Sequence, residues 1–215
     1  MEVKRILLIR HGESLSNKQH MLSGRGNSDL SRSGTAQARK LSRFIRKKFS
    51  PIDRIYSSPL ERALSTAREL SRKLKTPVET NELLVETDFG RWEGMTHEML
   101  KCQPEWERYL SDPFHFSFPG GESPQDVKRR VLLFREQLLG EDSWSTVVVV
   151  SHYTPIVFLT LSVLGDAQCM DAQCRDAQSM DAQSTRAPFR IDNASITVIE
   201  RSGDRDYIGM MNFTP

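Results

Sequence analysis

The chain has 215 residues, 38% of them hydrophobic and 27% charged, and its formal net charge is +2. This is enough chain for one domain with a sizeable core, and too little net charge to argue for nucleic acid or an anionic membrane surface as a partner. No apolar run approaches the ~20 residues of a membrane helix, and residues 1–5 lead straight into a strand without signal-peptide character. Three cysteines, Cys102, Cys169 and Cys174, lack the spacing of a disulfide framework or a zinc site. They point to a reducing, cytoplasmic compartment.

Ile6-Leu7-Leu8-Ile9 reads as a short strand buried on both faces. It stops on Arg10-His11-Gly12, at the strand end where open α/β sheets place their ligand crevices. Gly12 allows a sharp turn and would bring main-chain N–H groups near a ligand. Arg10 offers a planar fork suited to phosphate or carboxylate, and His11 could serve as nucleophile, base or ligand. A polar loop follows through Asn17 and Gly24-Arg25-Gly26-Asn27. A helix is predicted after Ser31, with Ala38, Leu41, Ile45 and Phe49 at helical spacing.

Pro51 ends that helix, and Ile52 to Tyr56 predicts a second strand. Ser57-Ser58-Pro59-Leu60-Glu61-Arg62-Ala63 then predicts a helix capped by Ser58, with Pro59 first and Glu61 completing a capping box. Leu60, Ala63, Leu64, Ala67, Leu70 and Leu74 would form its buried stripe. Arg62 lies off that stripe in the first turn, within reach of the crevice of Arg10. Pro77-Val78 begins an extended piece leading to an acidic, aromatic stretch from Glu82 to Gly94. A carboxylate held there against Phe89 and Trp92 would have its pKa raised by desolvation. The alternative is a surface loop anchored by those rings. Residues 95–110 predict one or two short helices broken at Pro104. Residues 112–121 carry Phe114, His115, Phe116 and Phe118 and either cover a pocket or pack on the body.

Ser123-Pro124 opens a helix with Val127, Val131, Phe134 and Leu138 inward. Thr146 to Val150 repeats the logic of the first strand and ends on Ser151-His152-Tyr153-Thr154-Pro155. Here Thr154 is a candidate cap and Pro155 a candidate first helical residue. Residues 166–185 are four tandem five-residue units beginning at Asp166, Asp171, Asp176 and Asp181. Five residues rotate a helix by about 140°, so no face is kept. The units also lack the apolar residue and number needed for a solenoid. The segment reads as a non-catalytic surface insertion that could still carry an oligomer contact, which leaves a homodimer open. Phe189 to Glu200 and Tyr207 to Phe213 predict an antiparallel hairpin around Ser202-Gly203-Asp204.

Alternating strands and helices predict a three-layer α/β/α sandwich with a mostly parallel sheet and an antiparallel edge strand, as a single domain over residues 1–215. With both apolar strands central, His11 and His152 converge on one crevice beside Arg10 and Arg62. Two imidazoles with two guanidiniums describe a phosphate pocket. A metal site built from the histidines with Glu86 or Asp88 competes. The guanidiniums would repel a cation, and no ligand pair has a recognised metal spacing.

Five blocks in order resemble the histidine phosphatase superfamily, which includes the cofactor-dependent phosphoglycerate mutases. They are Arg10-His11-Gly12-Glu13 with Asn17, Ser57 to Ala63, Glu86 ahead of Phe89-Gly90-Arg91-Trp92-Glu93-Gly94, Pro119-Gly120-Gly121-Glu122-Ser123, and Ser151-His152. The resemblance covers nearly the whole chain except the repeat. It implies a phosphatase needing no metal or other cofactor, acting on a small phosphorylated molecule. His11 would be the nucleophile that becomes a phosphohistidine. Arg10, Asn17, Arg62, His152 and the N–H of Tyr153 would hold the phosphoryl oxygens. Glu86 would protonate the leaving oxygen and then activate water. The neighbouring guanidiniums would keep His11 unprotonated, while Glu86 would need desolvation to hold its proton against the same charges. The family usually has Gly where this chain has Tyr153. The N–H survives, but the side chain must point away or reshape the pocket. A phosphoglycerate mutase and a silent phosphate-binding protein are the alternatives. Family mutases carry longer segments around the crevice, so hydrolysis is favoured.

Overall fold

The computed structural model describes residues 3–164 and 189–215. In chain order the elements are β1 (Lys4–Arg10), α1 (Leu15–Lys18), α2 (Arg32–Lys48), β2 (Arg54–Ser57), α3 (Glu61–Leu74), β3 (Val78–Thr80), α4 (His97–Lys101), α5 (Trp106–Ser111), α6 (Pro124–Leu139), β4 (Thr146–Ser151), α7 (Tyr153–Leu164), β5 (Ile196–Ser202) and β6 (Arg205–Phe213). Two single 3₁₀ turns, Glu82–Leu84 and Gly90–Trp92, shape the acidic stretch. The strands form one sheet in the order β3-β2-β4-β1-β5-β6. β3, β2, β4 and β1 run parallel, and β5 and β6 run antiparallel to their neighbours. The antiparallel edge is thus a two-strand hairpin. The tandem repeat lies outside the described residues.

Both faces of β1 and β4 are apolar because both are covered. Ile6, Leu8, Val147 and Val149 pack with Val127, Val131, Phe134 and Leu138 of α6 and with Ile156 and Leu159 of α7. The alternate residues Leu7, Ile9, Val148 and Val150 pack with Leu41 and Ile45 of α2 and with Ala63, Ala67 and Leu70 of α3. Burying one such Leu, Ile or Val stabilises by roughly 1.5–3 kcal/mol, against roughly 1 kcal/mol for a helix cap. These two strands therefore dominate the choice of register. That register sets Arg10 opposite Ser151 and, on the other side of β4, Ser57 opposite Val150. His11, His152 and Ser58, each one residue further on, consequently emerge side by side at one end of the sheet.

Three expected details differ. α3 begins at Glu61, and its N-cap Leu60 makes no side-chain cap. Ser58 lies two residues before that cap and turns its hydroxyl to His152 instead. α7 begins at Tyr153, so Thr154 and Pro155 sit inside its first turn. The loop after β1 contains the short α1, closed by a capping box between Ser14 and Asn17.

The aromatic loop packs on the body. Phe116 and Phe118 join Phe89, Trp92, Leu100 and Trp106 in a separate apolar cluster. Phe114 lies against the main core near Phe158. Trp92 is the hub of that separate cluster, with Phe116, Phe118, Trp106 and Tyr109 ring centroids all within 6.2 Å. It anchors the stretch that carries Glu86. Among the described residues no helix is long and apolar enough to cross a membrane.

Candidate active site

The structure brings His11, His152, Arg10, Arg62 and Glu86 together, each at most 3% exposed. Charged groups are rarely buried to this degree unless paired, and each here has specific partners. The His11 and His152 rings lie 5.1 Å apart between centroids. His11 Nδ1 is 2.7 Å from the carbonyl oxygen of Gly12. A carbonyl only accepts, so Nδ1 carries the proton and Nε2 keeps its lone pair. Arg62 Nε donates to that Nε2 at 3.3 Å.

Arg62 is held by backbone oxygens alone on its other side. Its Nη1 donates to Gly26 O at 2.8 Å, and its Nη2 donates to Ser23 O at 3.1 Å and Gly24 O at 2.7 Å. Burial is the main reason its pKa falls to about 10, with Glu86 and Glu93 opposing and Arg10 adding to the fall. It therefore stays cationic at neutral pH. The loop it grips is packed closely at Gly24. A Cβ on Gly24 would lie 2.0 Å from Thr87 O, so this position tolerates only glycine without a backbone shift. Glu93 completes the loop by accepting from the N–H groups of Gly24 and Arg25. Arg10 Nη1 donates to Ile191 O at 2.6 Å, and its guanidinium lies over the Tyr153 ring at 5.4 Å.

Tyr153 resolves the departure from the usual glycine. Its side chain is 6% exposed and belongs to the main core, beside Arg10. Its backbone N–H lies at the N-terminal end of α7, where the helix dipole suits an anion. Glu86 accepts from Thr87 N at 2.8 Å and from Thr154 N at 3.5 Å. The carboxylate is thus tied to the start of α7. Asn17 Oδ1 accepts from Ser14 N, Ser14 Oγ and Asn193 Nδ2. That leaves the amide's donor end as the one suited to an anion. Gly12 serves differently from expectation. Its N–H donates to Thr66 Oγ1, and a Cβ there would lie 2.5 Å from Gly34 O, so its role is close packing against α2.

Three contributors were not legible in the sequence. Asn193 bridges Asn17 Oδ1 and the carbonyl of His11. Arg130 on α6 donates to the carbonyl oxygens of Leu83, Val85 and Glu86 while pairing with Glu122. Ser58 lies 2.8 Å from His152 Nε2. Each is a lone polar residue in a segment whose local pattern has another use.

Residues 6–214 match the family model of the histidine phosphatase superfamily, branch 1. The chain belongs to that superfamily. Phosphoserine phosphatase 1 of Hydrogenobacter thermophilus is 32% identical over 212 residues, covering 98% of this chain and 92% of that protein. A bifunctional protein of Mycobacterium tuberculosis is 40% identical over 156 residues, which is 72% of this chain but only 43% of that protein. The chain thus spans less than half of that longer relative. The crystal structure of an alpha-ribazole phosphatase from Shigella flexneri superposes with a TM-score of 0.81 at 25% identity, covering 98% of this chain and 96% of that one.

The histidine pair of this superfamily member titrates abnormally. Burial, then the Arg62 charge, holds both His11 and His152 well below the ordinary 6.5. In the unfolded chain both would titrate near that value. Above it both states are neutral and nothing is lost. As pH falls below 6.5 the unfolded chain takes up protons that the fold refuses. Stability should therefore drop by up to ~1.4 kcal/mol per pH unit for each histidine until the folded pKa is reached. Urea unfolding between pH 7.5 and 5 would measure this, and His11→Asn should remove about one proton from the slope.

Proposed function

We propose that the protein hydrolyses small phosphomonoesters through a phosphohistidine on His11. The observation that carries this reading is a buried, neutral imidazole with its Nε2 lone pair turned toward a guanidinium. Arg62 Nε reaches the same point that an attacked phosphorus would approach, so on binding its donor passes to a phosphoryl oxygen. Nε2 then attacks phosphorus in line, and the bond to the leaving oxygen breaks. Arg10, Arg62, Asn17, His152 and the Tyr153 N–H hold the three equatorial oxygens and stabilise their charge. Glu86 gives its proton to the departing alkoxide. It then takes a proton from the water that cleaves the P–N bond, which restores His11 and releases phosphate. Hydrolysis is preferred to phosphoryl shift within a mutase because the relative matching along the whole chain and the superposed structure are both named as phosphatases. A reducing, cytoplasmic setting fits the cysteine spacing.

A panel of phosphomonoesters assayed in EDTA, with a mutase assay alongside, tests the reading. Turnover of an aryl phosphate and inhibition by vanadate are expected. Glu86→Gln should lower kcat/KM, which reports only the phosphoryl-transfer step to His11, by about 10²–10⁴-fold on an alkyl phosphate. It should cost less on an aryl phosphate, whose leaving group needs little help from a proton. Equal losses on both would remove Glu86 from the acid's role.

A further inference from the structure

We infer that Ser58 fixes the proton of His152 on Nδ1 and so makes this imidazole a hydrogen-bond donor to the bound anion. The second half of that statement rests on the phosphatase reading above; the first half does not. Ser58 and His152 are both fully buried. Ser58 Oγ has two polar neighbours within hydrogen-bond distance among the described residues, Leu60 N at 3.3 Å and His152 Nε2 at 2.8 Å. The Leu60 N–H can only donate, so it occupies a lone pair of the hydroxyl. The hydroxyl proton then has one acceptor in reach, the Nε2 of His152.

The opposite arrangement, Nε2–H donating to Oγ, would bury the hydroxyl proton with nothing to accept it, which folded proteins avoid. A neutral imidazole with Nε2 as acceptor carries its proton on Nδ1. His152 Nδ1 is itself buried with no hydrogen-bond partner among the described residues. It is the ring's remaining polar atom, 5.1 Å ring to ring from the nucleophile candidate.

The placement is rigid. Ser58 N donates to Val150 O at 2.9 Å, which locks the residue after β2 to the strand that leads into His152. His152 O accepts from Ile156 N in the first turn of α7. The two histidines therefore share one tautomer but present opposite ends. His11 offers a lone pair at Nε2, and His152 offers an N–H at Nδ1. One attacks while the other holds.

Long-range ¹H–¹⁵N correlation of the histidine rings in the ligand-free 215-residue chain reads this directly, with the His152 signals assigned by their loss in His152→Gln. The expected spectrum shows Nδ1 protonated and Nε2 bare. Ser58→Ala should move His152 toward the Nε2–H form and lower kcat/KM for an aryl phosphate by about tenfold or more, the size of one buried hydrogen bond. Ser58→Thr, which keeps the hydroxyl, should restore the tautomer and most of the rate. A wild-type His152 in the Nε2–H form overturns the inference whatever the turnover. So does a Ser58→Ala protein that keeps Nδ1–H. If Ser58→Ala does not fold, the wild-type and Ser58→Thr spectra decide. A wild-type protein with the Nδ1–H form but no phosphatase turnover supports the proton assignment and counts against the hydrolase reading instead.

Discussion

His11→Ala should lower phosphomonoester turnover by at least ~10³-fold, because the proposed nucleophile is gone while the proposed binding groups remain. Arg10, Arg62 and the start of α7 are held by partners other than the His11 ring, through Ile191, the 23–26 carbonyls and β4 respectively. Phosphate and vanadate should therefore still bind to the folded variant. The fold loses one neutral ring from a site bounded by charged groups, so urea unfolding near neutral pH should shift modestly compared with the loss of rate. Turnover that survives in His11→Ala would remove the nucleophile assignment.

Arg62→Met should damage both activity and stability. The substitution removes a buried cation and leaves the carbonyl oxygens of Ser23, Gly24 and Gly26 without their donor. Stripping one partner from a buried charged network costs roughly 3–5 kcal/mol, a large part of a typical domain's stability. Transition-state charge would lose one of its two guanidiniums, so vanadate affinity should fall by about 10²–10³-fold. Arg62→Lys separates the two effects. It keeps the charge but cannot satisfy three carbonyls and His11 at once with a single ammonium. Its vanadate affinity should lie between wild type and Arg62→Met, with stability still reduced. Unfolding by urea and vanadate titration measure the two quantities independently.

The layered sheet was readable in the sequence wherever burial left a one-dimensional trace. The continuous apolar runs of β1 and β4 announce strands covered on both faces, and Val127, Val131, Phe134 and Leu138 keep the helical period that places α6. The histidines were readable because a polar residue at the tip of such a run needs a purpose. What was not readable depends on partners distant in the chain. Ser58 precedes a proline and a glutamate in a pattern that looks like a helix cap, but the register of β2 on β4 offers it a stronger acceptor in His152. Arg130 looks like an exposed charge on an amphipathic helix, yet it reaches 44 residues back to the carbonyl of Glu86. Gly12 looked like a turn residue, and it is required by the approach of Gly34 on the facing helix. Each of these functions is fixed by tertiary geometry, which local spacing does not encode.

Rapid mixing of the protein with an aryl phosphate in EDTA, quenched without acid and read by mass spectrometry, tests the proposed chemistry most directly. One phosphoryl group should be found on His11 within the first turnover, forming no slower than product and absent from His11→Ala. Product released in that turnover with His11 unmodified, or with the phosphoryl group on another residue, would contradict it.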